Sequence, residues 1–138
     1  MSYIMLQQLS IYAENKKGTM QNITEVLADE NINIWGSCTN DGAEYGINRM
    51  VVSDPQRAME ALEAVGYLCK LTSVIGVEVE DEVGNLNKLL KALAESNINI
   101  NYIYLSFNRA SGKPVLVFQT ADTAEVEVCL KNKGFSVV

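Results

Sequence analysis

The chain has 138 residues, 48% of them hydrophobic and 20% charged, with 17 acidic side chains against 11 basic ones. A formal net charge of −6 without any Lys/Arg cluster disfavours nucleic acid as a partner, because phosphate binding draws on clustered cations. Histidine is absent, which removes the commonest general base and the commonest transition-metal ligand together.

Apolar runs are too short to span a bilayer, and Met1-Ser2-Tyr3 opens no basic signal segment, so a cytoplasmic location is expected. Cys38, Cys69 and Cys129 are widely spaced, and no CxxC pair suggests zinc or a redox couple. They read as buried free thiols. No catalytic constellation, cofactor site or metal site is expected.

In chain order, Leu9-Ser10-Ile11-Tyr12-Ala13 predicts a short strand ending at the polar Glu14-Asn15-Lys16-Lys17-Gly18. Met20, Ile23, Val26 and Leu27 then form a helical stripe. Asn31-Ile32-Asn33-Ile34-Trp35 restarts as a strand, and Asp41-Gly42 turns it into a partner strand over Tyr45–Val52. Asp54-Pro55 starts a second helix, with Pro at its tolerated first position. Ala58, Ala61, Leu62 and Val65 line its inner face, Gly66 stops it, and Tyr67–Ser73 predicts a last strand.

The same order then returns. Ile75–Glu80 predicts a strand, and Leu86, Leu89, Leu90 and Leu93 a helical stripe. Asn99–Phe107 pairs with Val115–Thr120 across Ala110-Ser111-Gly112-Lys113. Asp122 caps a helix running to about Lys131, Gly134 ends it, and Phe135–Val138 closes as a strand.

The echo extends to residues. Gly18 and Gly84, like Asn31 and Asn97, are 66 apart (84 − 18 and 97 − 31), while Asp54/Asp122 and Gly66/Gly134 are 68 apart (122 − 54 and 134 − 66). Two residues are therefore gained between these landmarks, as a lengthened hairpin requires. A repeat this long is a domain rather than a solenoid unit. Two domains are expected, residues 1–72 and 73–138. Each βαββαβ unit predicts an α+β, ferredoxin-like fold: a four-stranded antiparallel sheet with both helices on one face.

In Ile100–Phe107 both alternating sets, Ile100/Tyr102/Tyr104 and Ile103/Leu105/Phe107, are largely apolar. A sheet wet on one face should alternate in polarity. Both faces of this strand call for cover, from the twin domain or from a second chain, so a homodimer is expected. Tyr102 and Tyr104 have only Arg109 and Lys113 as basic neighbours, which speaks against an RNA-binding sheet.

Each half turns from first strand to first helix through a polar loop with one Gly. That Gly permits close backbone approach, and the helix start exposes N–H groups at the positive end of its dipole. The arrangement suits a small carboxylate, and it also suits a plain tight turn. Asn33 and Asn99 begin the second strands, beside the first, which puts their amides near the loop. They either hold a ligand bearing both ammonium and carboxylate or merely turn the chain.

A strand, then Glu14-Asn15-Lys16-Lys17-Gly18-Thr19-Met20, then a helix, then Asn31-Ile32-Asn33-Ile34 resembles the ACT domain, and the resemblance covers the chain twice. Stand-alone tandem ACT proteins are similar in particular. The resemblance implies a non-enzymatic regulatory protein that binds a free amino acid at the strand-to-helix loops and acts on an enzyme partner or on its own oligomeric state. It implies ligand contacts from Asn15, Gly18, Thr19, Met20, Asn33 and Ile34 in repeat 1, and from Asp81, Gly84, Asn85, Leu86, Asn99 and Ile100 in repeat 2. Asp81 would pair with a ligand ammonium that Asn15 would only hydrogen-bond. Many such loops carry Pro before the Gly, where this chain has Lys17 and Val83. That departure favours the alternative of an interaction module with degenerate sites. Glu82 and Asp81 add negative charge where a carboxylate approaches, so repeat 1 is the better site.

Overall fold

The computed structural model of the protein describes residues 6–14, 16–40 and 46–138; Asn15, the Asp41-Gly42 turn and Tyr45 lie outside the described residues. The elements run β1 (Leu6–Ala13), α1 (Thr19–Asp29), β2 (Ile34–Asn40), β3 (Gly46–Val52), α2 (Pro55–Ala64) and β4 (Leu68–Glu78). After them come α3 (Asn85–Glu95), β5 (Ile100–Phe107), β6 (Pro114–Thr120), α4 (Thr123–Asn132) and β7 (Ser136–Val137). They form two compact units, Gln7–Thr72 and Ser73–Val138 together with Leu6.

The two strands expected over Tyr67–Ser73 and Ile75–Glu80 are one, β4, from Leu68 to Glu78. Between Tyr67 and Gly76 there is no Gly, Pro, Asn or Asp and only Ser73 among weaker turn formers, and Thr72, Val74 and Ile75 around it are β-branched residues that favour continued extension. The first unit orders its strands β2-β3-β1-β4 and the second β7-β4-β6-β5. β3 is antiparallel to β1 and β2, and β6 to β4 and β5.

Ile23 and Leu27 of α1 and Ala58 and Leu62 of α2 pack on Leu9, Ile11, Met50 and Val52. Leu89 and Leu93 of α3 and Val126 and Leu130 of α4 pack on Ile75, Val77, Leu116 and Phe118. Both helices of each unit thus cover one sheet face, the ferredoxin-like arrangement expected from the sequence. At the foot of α1 the Ile32 N–H donates to the Leu27 carbonyl at 2.9 Å, with Asn31 left-handed at φ 59. Ile98, Leu93 and Asn97 repeat that closure at 2.9 Å and φ 57. This reversal satisfies carbonyls the helix leaves open.

Some expectations fail for local reasons. Met20 and Leu86, in the first turns of α1 and α3, are 39% and 46% exposed, so neither joins the core with the rest of its stripe. Val65 follows the last turn of α2 and is exposed, so it does not line the inner face. Asp122 sits at the cap position of α4 without a side-chain cap bond; it hydrogen-bonds the Glu125 carboxyl instead, which pushes the Glu125 pKa up. On β5, Tyr104 is buried while Leu105 and Phe107 are half exposed. Among the described residues no helix is long and apolar enough to cross a membrane.

Candidate functional site

Both strand-to-helix turns have the same backbone. In the first, the Lys16 N–H donates to the Glu14 carbonyl at 3.0 Å and the Thr19 N–H to the Lys16 carbonyl at 3.1 Å. Gly18 then takes φ 89 and starts α1 with no side-chain cap. In the second, the Glu82 N–H donates to the Glu80 carbonyl at 2.9 Å and the Asn85 N–H to the Glu82 carbonyl at 3.3 Å. Gly84 takes φ 93. A Cβ at either glycine would meet nothing within 4 Å, so the glycine is required by backbone conformation alone. Each helix start presents N–H groups that have no intrahelical acceptor, at the positive end of the dipole.

Below these turns the units differ. In the first, an open pocket with a cavity volume of about 30 Å³ lies among Ile11, Glu14, Met20, Thr39 and Asn48. Asn48 is 3% exposed; its Nδ2 donates to the Met20 thioether, and its Oδ1 has no hydrogen-bond partner. The Thr39 hydroxyl donates to the same sulfur at 3.6 Å. Glu14 at the rim pairs with Lys16 at 2.6 Å, both exposed, and this carboxylate raises the Lys16 pKa.

In the second unit a cleft of about 260 Å³ lies among Asp81, Asn85, Leu86, Leu105, Phe107 and Leu116. Asn48 faces Thr39 across the β2/β3 ladder as Leu116 faces Leu105 across β5/β6. The polar pair of one unit is therefore leucine in the other. Asn85 Nδ2 also donates to the Glu80 carbonyl at 2.6 Å, and Lys113 bridges Glu80 at 2.7 Å. Hydrogen bonding to Glu80, then its charge, raises the Lys113 pKa.

Of the expected site residues, Thr19 and Met20 line the first cavity, and Asp81, Asn85 and Leu86 line the second cleft. Gly18 and Gly84 form the turns above them. Asn33, Ile34, Asn99 and Ile100 do not join either group within their own unit. β1 and β2 both oppose β3 and so run parallel, with Tyr12 and Asn40 both level with Ile47 but Ile34 level with Val52. Five residues of strand put Ile34 about 17 Å from the loop end. The Asn33 N–H donates to Ser53 Oγ at 2.9 Å, and its carbonyl accepts from the Ser53 N–H at 2.9 Å. In the second unit Ser106 is level with Val115, while Ile100 is level with Thr120. The expectation that these asparagines begin a strand beside the first and lie near their own loop fails: β3 stands between β1 and β2, as β6 does between β4 and β5, and the second strand, parallel to the first, starts at the opposite end of the sheet from the loop.

Thr39, Asn40 and Asn48 line the first cavity without having been expected there. The signal was available for Asn48: it shares strand parity with Met50 and Val52, where an inward set should be apolar. Cys38, Cys69 and Cys129 are free and partly buried. Burial first, and Glu63 second, push the Cys69 thiol up to about 11, so it is protonated at neutral pH. Among the described residues no group of three or more acidic or Cys side chains is placed to hold a metal.

The sequence signature of the family described as "ACT domain pair" matches residues 4–137. Protein BT0572 from Bacteroides thetaiotaomicron is similar in structure, with a TM-score of 0.87 and 34% identity over 97% of this chain and 92% of that one. The regulatory subunit of aspartate kinase from Thermus thermophilus, in a ligand-free form, shares the fold at a TM-score of 0.64 and 16% identity, covering 91% of this chain and 87% of that chain. The corresponding subunit from Thermus flavus does so at 0.61 and 20%, over 91% and 88%. Among curated proteins, none matches the chain.

Proposed function

The chain belongs to the ACT domain pair family, and from that premise we propose that it is a non-enzymatic regulatory protein that binds a free amino acid at its strand-to-helix turns. The observation that carries this reading is the first turn itself. A left-handed Gly18 opens α1 beside a pocket lined by Glu14, Thr19, Met20, Thr39 and Asn48. Backbone N–H groups at the start of α1, at Gly18 and Met20, face a carboxylate, the Thr19 N–H being held by the Lys16 carbonyl, and the side-chain oxygens of Glu14 and Thr39 face groups that donate. The same turn at Gly84, Asn85 and Leu86, with Asp81, forms the second site. Regulatory subunits of aspartate kinase with the same fold support a regulatory role. Asn33 and Asn99, with Ile34 and Ile100, contribute only if another domain copy brings them to a turn. A homodimer acting in the cytoplasm on a partner enzyme fits that requirement.

The test is the melting temperature of the full chain against each of the twenty amino acids at millimolar concentration. A ligand at about 100 times its dissociation constant adds roughly 2.7 kcal/mol and raises the melting point by about 5–10 °C. The expected result is a shift confined to one chemical class and lost in Gly18→Val. A flat panel would transfer the case to a second reading, an interaction module. What favours that reading is the second unit, where Val83, Leu86, Leu105 and Phe107 are exposed around the turn and offer a protein an apolar surface.

A further inference from the structure

The two strand-to-helix turns share a backbone and differ in the surfaces they carry, and those surfaces complement each other. We propose that the groove beside the second turn docks a second copy of this chain. The first turn of that copy enters it, with Lys17 toward the acidic rim and Met20 toward the apolar floor. The inference goes beyond the amino-acid-binding reading and does not depend on it.

The groove has a volume of about 260 Å³, an apolar floor that includes Leu86, Leu105, Phe107 and Leu116, and Glu80, Asp81 and Glu82 at its rim. None of the residues that line it is basic. Leu86, Leu105 and Phe107 are 46%, 50% and 51% exposed, and Val83, between Glu82 and Gly84, is fully exposed. Apolar side chains gathered in water gain from cover. Lys113 bridges Glu80, so Asp81 and Glu82 carry the charge of the rim. A wholly apolar cover would take those two carboxylates out of water without a partner, and a cation in the cover relieves them.

The first unit presents that cover at the equivalent turn. At the 66-residue offset, Lys16 stands where Glu82 does (82 − 16), Lys17 where Val83 does (83 − 17) and Met20 where Leu86 does (86 − 20). Lys16, Lys17 and Met20 are all exposed. Lys16 is paired with Glu14, which leaves Lys17 to give the turn its net positive charge. A Cβ at Gly18 would meet nothing within 4 Å, so the crest of the turn is open to approach. Met20, with a flexible thioether, adapts to an irregular apolar floor. Both turns hold the same backbone whichever set of side chains they carry, so neither set is a need of the fold. The contact joins unlike surfaces: a two-fold pair uses it twice, and any other arrangement extends it from copy to copy.

The experiment is sedimentation equilibrium of the full chain over a range of concentrations at low and high salt. The expected result is self-association that weakens as salt rises. Lys17→Glu alone and Glu82→Lys alone should each raise the dissociation constant about tenfold or more, and the chain carrying both should recover. Phe107→Ser should also weaken association, and the charge reversals, on exposed side chains, carry the test if that variant does not fold. A chain that stays monomeric at every concentration overturns the proposal. So does association that ignores the reversals, or that is not recovered in the double variant, because the copies then meet through another surface. A monomeric chain that binds a synthetic peptide of alternating Lys and Leu through Phe107 gives the groove to a different protein and likewise overturns it. The amino-acid panel is read separately, so failure of either reading leaves the other standing.

Discussion

Gly18 and Gly84 hold φ 89 and 93 with open space where a side chain would begin, so replacing either tests backbone conformation and nothing else. Gly18→Ala should cost about 1–2 kcal/mol, the cost of left-handed backbone for a residue with a Cβ, and Gly18→Asn should cost less. Thermal unfolding of the two variants checks the order; equal losses would mean the turn relaxes into another conformation. Asn48 runs the other way. Its unmet Oδ1 is a standing penalty, so Asn48→Leu should leave the melting point unchanged or raised. Cys69 gives a pH dependence. Its folded thiol is pushed up to about 11 from an unfolded value of about 8.5. Between those values the unfolded chain has lost the proton and the folded chain keeps it, so stability present at lower pH declines as pH rises. Melting curves at pH 8 and pH 10.5 should show a smaller loss for Cys69→Ala than for the parent chain, the difference isolating this thiol from titrating lysines and tyrosines. Little of this residue-level detail can be read from spacing. Asn48 sits one strand position in two from Met50, but only the register shows that it lies under Met20.

The helices were legible from a stripe at helical spacing in α1, α2 and α3, and from a start and a stop signal at α2 and α4. α1 and α3 both end on a left-handed Asn, at Asn31 and Asn97, with Ile32 and Ile98 closing back on Leu27 and Leu93. Asp54-Pro55 likewise marked α2, where Asp54 accepts from the Arg57 N–H at 3.2 Å. Strand limits were less legible where no breaker stands. β4 crosses the repeat boundary because Lys70 to Ile75 contains no Gly, Pro, Asn or Asp, and a repeat offset says where domains recur without saying that the chain turns between them. Gly76 illustrates the difference between a turn glycine and a packing glycine. Its φ is not left-handed, and a Cβ there would meet Val138 at 2.9 Å, Leu6 at 3.0 Å and Val115 at 3.2 Å. Gly76→Val should therefore destabilise by about 1–3 kcal/mol through overpacking, against a smaller loss for Gly76→Ala. Chemical denaturation reads this directly, and a neutral Gly76→Val would show that the β4–β7 edge yields.

Across the whole chain, the repeat carried the fold, and the departures from the repeat carry the site. The 66-residue offset preserves turn, glycine and helix stop, which is why the fold and the two turns were legible from sequence alone. The placement of Asn33 and Asn99 was not, because element order alone gives neither the strand that intervenes between the first and second strands of each unit nor which end of the sheet the second strand starts from. Nor were the cavity walls legible, since Thr39/Leu105 and Asn48/Leu116 become equivalent only once each pair is aligned across its ladder. On the amino-acid-binding reading those two exchanges make the units unequal, and they set a stoichiometry. Polar Thr39 and Asn48 stand beside Gly18 where leucines stand beside Gly84, and on the proposed reading Asp81 and Glu82 would also oppose a carboxylate approaching the second turn. Titration of the whole chain with the amino acid that gives the largest melting shift should thus saturate at one ligand per chain, with Gly18→Val abolishing the heat and Gly84→Val leaving most of it. Saturation at two equivalent ligands would mean that the backbone turn alone, common to both units, supplies the affinity and that the side chains beneath it do not discriminate.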